Sequence, residues 1–75
     1  MSKVDPNYYK DRPIEIIDCI ESMIIDKTPN EAFLVGQVVK YVARYNQKNE
    51  LEDLNKATWY LDRLKNKVEV RMLGL

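Results

Sequence analysis

Histidine is absent from this 75-residue chain, which removes Ser-His and Cys-His nucleophilic devices and most catalytic zinc sites. Cysteine occurs once, as Cys19, so no internal disulfide can form. A lone thiol within an apolar segment suits a small buried hydrophobe in a reducing cytosol. The only glycines are Gly36 and Gly74. The chain therefore has neither Gly-x-x-x-x-Gly-Lys-Ser/Thr nor Gly-x-Gly-x-x-Gly, the loops that cradle phosphates. Apolar runs stop after a few residues, too short to span a bilayer, and the start MSKVDPNYYKD has no apolar region of a signal peptide. A cytoplasmic, non-membrane location is expected. Net charge is missing too, with twelve basic residues against twelve acidic ones. Without a global field, coating of DNA by counterion release is disfavoured, although a local basic stripe is compatible with that balance.

What is present is 45% apolar and 32% charged residues, the profile of a soluble helical chain. At 8.9 kDa there is room for one domain, and a monomer of this size hides only about 60–65% of its unfolded surface. The core is marginal. Residues 1–12 read as a polar arm and 13–75 as a single all-α domain, a compact three-helix unit with a long C-terminal helix, expected to be oligomeric. Pro13 suits the first turn of a helix over 13–25. Thr28, Pro29 and Glu31 form a capping box with proline in its favoured place, opening a helix over 29–46. Asn49 followed by Glu52 repeats the signature and predicts a third helix over 50–72, with Gly74 as its stop.

At 100° per residue, the first helix turns Ile14, Ile17, Ile20 and Ile24 to the core. The second is apolar on two sides, Leu34, Val35, Val38, Val42 and Tyr45 on one and Ala32, Gly36, Val39 and Ala43 on the other. It belongs in the middle. Gly36 costs about 1 kcal/mol relative to alanine in a helix interior, which points to close approach of a neighbouring backbone. The third helix carries Leu54, Ala57, Leu61, Leu64 and Val68 as a seam at coiled-coil spacing. Trp59 faces away from that seam, with Val70 and Leu73 on the same far side, and calls for cover from the arm or from another chain. The predicted interface residues are Trp59, Leu61, Leu64, Val68, Val70 and Leu73.

Two polar strips are the only constellation with chemical potential. Lys40 and Arg44, one turn apart, are spaced to grip one phosphate or carboxylate, with Lys48 beyond them, Tyr41 at the strip's edge and Lys56 on the third helix. Glu15 and Asp18 lie on the first helix at i and i+3, where two hard oxygens suit a Mg²⁺ that keeps its waters. No other cofactor is expected. Complementary acidic and basic strips on adjacent helices more often set packing register or stay solvated.

Tyr9-Lys10, Pro13-Ile14-Glu15-x-Ile17-Asp18, Phe33-x-x-Gly36-x-x-x-Lys40-Tyr41-x-x-Arg44-Tyr45, Lys48 and Glu52-Asp53-Leu54-x-Lys56-Ala57-x-Trp59-Tyr60-Leu61 together form a fairly specific motif. The series resembles a family of small phage-encoded SaV-like proteins of unknown function. Members often carry the label of nucleotide kinase, because a longer coliphage nucleotide kinase contains a related segment. Tyr8-Tyr9 stands where that family usually has a histidine-tyrosine pair. The resemblance implies a phage or prophage accessory protein in a bacterial cytoplasm.

Three functional classes follow. The first is a self-associating helical interaction module that modulates a host or phage protein, supported by surplus apolar surface. The second is Mg²⁺-dependent nucleotide binding or phosphoryl transfer at Glu15, Asp18, Lys40 and Arg44. The third is nucleic-acid binding along Lys40, Arg44 and Lys48, with Tyr41 or Tyr45 as a stacking platform. A non-enzymatic role is favoured, since no phosphate cradle accompanies the charged strips.

Overall fold

Thr28 takes extended backbone and its hydroxyl accepts a hydrogen bond from the Glu31 N–H at 3.4 Å, with Pro29 in the first turn. This is the half of the capping box that satisfies an orphan donor. It opens helix α2, Pro29–Arg44, the middle of three helices in a computed structural model that describes residues 14–74. The arm over 1–12 and Pro13 lie outside the described residues. Helix α1 runs Ile16–Ile24, shorter than predicted, because Glu15 keeps an extended backbone (φ −71°, ψ 144°) and its carbonyl accepts the first bond, from the Cys19 N–H. After α2 the chain tightens into a 3-10 turn, Tyr45–Gln47, and then enters helix α3, Leu51–Met72. Gly74 ends α3 as predicted, at φ +76°, with its N–H donating to the Arg71 carbonyl.

The start of α3 departs from the sequence reading. Asn49 does not cap it; Glu50 is the cap residue, at φ 49°, and makes no side-chain cap. Asn49 instead donates to the Asp53 carboxylate twice, through its backbone N–H and its side-chain amide, both at 3.3 Å. Asp53, not Glu52, thus stabilises the turn, and its carboxylate sits where the positive end of the helix favours it. A non-glycine residue at positive φ carries strain, which the surrounding bonds must hold in place.

Helix α2 packs against both α1 and α3, but of its first predicted apolar side Val42 and Tyr45 are 47% and 39% exposed, and Tyr41 is buried instead. The assembly measures 44 × 27 × 16 Å, and α2 is the helix that packs extensively on both others, with little contact between α1 and α3. The helices therefore lie in a row, as a slab, without a shared three-sided interior. Among the described residues only Leu34, Val35, Tyr41 and Ala57 are buried apolar residues, with Asp53 beside them.

Which helix faces meet also differs from the wheels. Along α3 the buried and half-buried positions are Asp53, Leu54, Lys56, Ala57, Tyr60, Leu64, Lys67 and Val68, so four of the five predicted seam residues turn inward, while Leu61 is displaced from the seam and is 44% exposed. On α1 the inward residues are Ile16, Cys19, Ile20 and Ile24, while Ile14 and Ile17 are exposed. Gly36 does face α1, but what approaches it is a side chain: a Cβ there would meet Ile20 Cγ2 at 3.4 Å.

Candidate functional site

Asp53 is the most buried polar side chain among the described residues, with 0% of its surface exposed. Its helical position aims it at the end of α2, where Arg44 donates Nε to Oδ2 at 3.3 Å and Nη2 to Oδ1 at 3.5 Å. With the two Asn49 bonds, both carboxylate oxygens are satisfied. Burial pushes the Asp53 carboxyl upward, but the hydrogen bonds from Arg44 and Asn49 and the guanidinium charge outweigh it, and its pKa ends below the usual 3.8. The group is therefore an anion at neutral pH, as a buried carboxylate with several donors should be.

This pairing decides the role of Arg44. Its side chain is 17% exposed and committed to Asp53, so it does not stand free beside Lys40 to grip a ligand. Within the basic strip on α2, Arg44 finds its counter-charge on α3. No ion pair joins it to Glu15 or Asp18 among the described residues.

Tyr41, placed at the edge of the basic strip by the sequence, is buried. Its ring stacks on Tyr60 of α3, with centroids 5.9 Å apart and planes at 11°. Lys40 Nζ lies 4.6 Å, Arg44 4.9 Å and Lys56 Nζ 5.5 Å from the ring centroid. Such cation–π contacts hold long side chains against an aromatic face. Tyr41 is thus a core residue with cations around it, and its ring is not offered to a nucleobase. Lys56 also lies 3.7 Å from Glu52 one turn back, and Lys48 is exposed in the turn after α2.

The proposed Mg²⁺ pair is split in character, with Glu15 half-buried at the entry to α1 and Asp18 exposed. No group of three or more acidic, histidine or cysteine side chains gathers as a metal site among the described residues. Nor is any described helix long and apolar enough to cross a membrane.

The open surfaces lie along α3. On one flank, Phe33 and Leu34 of α2 face Trp59, Tyr60, Arg63 and Lys67 across an open groove of about 450 Å³. Tyr60 forms its floor and meets both neighbours edge to face, Trp59 at 5.1 Å and Phe33 at 6.0 Å. Phe33 and Trp59 are 58% and 60% exposed. On another flank, Leu61, Leu64, Lys65, Val68 and Glu69 line a second open surface of about 380 Å³. Phe33, Arg63 and Lys67 did not emerge from the sequence as site residues. For Arg63 and Lys67 the signal was the four-residue rhythm Trp59, Arg63, Lys67, one stripe on one helix face; Phe33 lies on α2, outside that rhythm.

An all-α unit whose buried Arg44–Asp53 pair is internal and whose open grooves carry aromatic and aliphatic side chains defines a small helical domain built around its surfaces. The chain belongs to DUF3310, a protein family of unknown function, whose profile matches residues 3–62. That stretch contains every motif from Tyr9-Lys10 through Trp59-Tyr60-Leu61. No curated protein and no solved structure matches the chain.

Proposed function

We propose that this protein is a phage or prophage accessory protein acting in the bacterial cytoplasm as a self-associating α-helical interaction module that modulates a host or phage protein. The observation that carries the reading is the exposed apolar surface beside α3, where Phe33, Trp59 and Leu61 are 58%, 60% and 44% exposed. Two separate apolar surfaces on α3 allow two engagements at once, one with another copy and one with a different protein. The reading needs no catalytic residue. Arg44 is engaged with Asp53 and Tyr41 with Tyr60, which weakens the nucleotide reading, while the nucleic-acid reading keeps Lys40, Lys48 and the exposed Tyr45.

Light scattering coupled to gel filtration across a wide concentration series tests self-association. A concentration-dependent dimer or higher species is expected, and a strict monomer at the highest concentration overturns it. Capture from bacterial host lysate, repeated with the Leu61→Asp variant, tests the second engagement. A specific protein retained by the native chain and lost with the variant is the expected result; the same proteins retained by both count against it.

A further inference from the structure

The groove beside Trp59 has a chemical complement on α1 of the same molecule. Trp59, Arg63 and Lys67 follow one another along α3 at steps of ~6 Å, the rise of four helical residues. Arg63 and Lys67 carry no ion pair among the described residues, since the basic groups in pairs are Lys27, Arg44, Lys56 and Arg71. They rim an aromatic floor without a carboxylate beside them in the groove. On α1, Ile17, Glu21 and Ile25 follow one another at the same ~6 Å steps, with Asp18 next to Ile17. All four are exposed, Ile25 by 85%, and neither carboxylate is ion-paired among the described residues. The α1 face thus presents isoleucines with two carboxylates that make no ion pair among the described residues, and the groove presents aromatic rings with two such cations.

We propose that the α1 face of a second copy, Ile17, Asp18, Glu21 and Ile25, docks in the groove between α2 and α3, with its isoleucines against Trp59 and Phe33 and its carboxylates against Arg63 and Lys67. This rests on the self-association reading above and names its interface. Each copy owns one groove and one α1 face, and where two copies exchange them reciprocally about a two-fold axis neither face is left to propagate a filament. Exposed charges at such a rim set register and partner choice more than raw affinity. The aromatic rings, which are large and rigid, supply the anchor. A polynucleotide is a weaker occupant, because two cations release few counterions and the floor is apolar.

The test is a charge exchange between two variants. One carries Arg63→Glu and Lys67→Glu; the other carries Asp18→Lys and Glu21→Lys. Circular dichroism checks that each stays helical, and Arg63→Glu alone replaces the first if Lys67, which is half-buried, proves necessary to the fold. Each variant by itself should dimerise at least about tenfold more weakly than the native chain, because like charges now face each other. An equimolar mixture should recover dimers of one chain of each kind, and Trp59 emission should shift to the blue as they form. If the native chain self-associates but the variants do so equally well, or the mixture does not recover, this interface is wrong while self-association stands. A native chain that is monomeric at every concentration removes both. A Trp59 response to single-stranded oligonucleotide instead of to a second copy reassigns the groove.

Discussion

Asp53 links the end of α2, the following turn and the start of α3 through four hydrogen bonds from two residues. Because its folded-state pKa lies below 3.8, its contribution to stability is fully present above the unfolded value and is lost as pH falls through the folded one. Asp53→Asn should lower the melting temperature at pH 7 and flatten the loss of stability below about pH 4, both read from thermal melts across pH. The same network separates two neighbours that the sequence treats as a pair. Arg44→Ala strands a buried carboxylate and should destabilise the fold severely. Lys40→Ala removes a cation over the Tyr41 ring and should cost no more than about 1 kcal/mol. Chemical denaturation of the two variants makes the comparison, and equal losses would mean that the Arg44–Asp53 pair does not carry the turn.

Helix α2 was the most legible element, because its signals are local. Thr28, Pro29 and Glu31 lie within four residues, and a cap needs nothing from elsewhere in the chain. The α2–α3 turn was less legible because Asp53 reaches back four residues to Asn49 while also taking Arg44 from another helix, a combination no spacing rule encodes. The α3 seam shifted for a related reason. Leu61 and Tyr60 lie on overlapping faces, and the choice went to Tyr60 because Tyr41 of α2 stacks on it. Gly36 is where element packing can be tested. It is helical and a methyl group there would just reach Ile20 at 3.4 Å, so Gly36→Ala should be neutral or stabilise by up to about 1 kcal/mol through helix propensity. Gly36→Leu should overpack the α1–α2 contact and cost about 1–3 kcal/mol. A destabilising alanine, measured by urea denaturation, would mean that the contact tolerates no side chain at all.

Small size and zero net charge together describe a molecule whose internal polar chemistry is already satisfied and whose apolar chemistry is not. Arg44 of the α2 strip is neutralised by Asp53 of α3 and the strip wraps an aromatic ring, while Asp18, Glu21, Arg63 and Lys67 make no ion pair among the described residues and apolar residues stand on the open flanks. The exposure of Leu61 turns this into a sharp distinction between two neighbouring leucines. Leu61 stands out from the slab and Leu64 is half-buried within it, though both line the same flank. Leu61→Asp places its carboxylate in water, so the variant should keep its helicity and stay within about 0.5 kcal/mol of native stability, as surface substitutions do. Leu64→Asp drives an unpaired charge toward the α2–α3 contact, where desolvation opposes it, and should unfold the domain or lower its melting temperature sharply. Paired dichroism melts decide between them. If Leu61→Asp unfolds the chain as readily as Leu64→Asp, the flank is core, and the second apolar surface is not available to a partner.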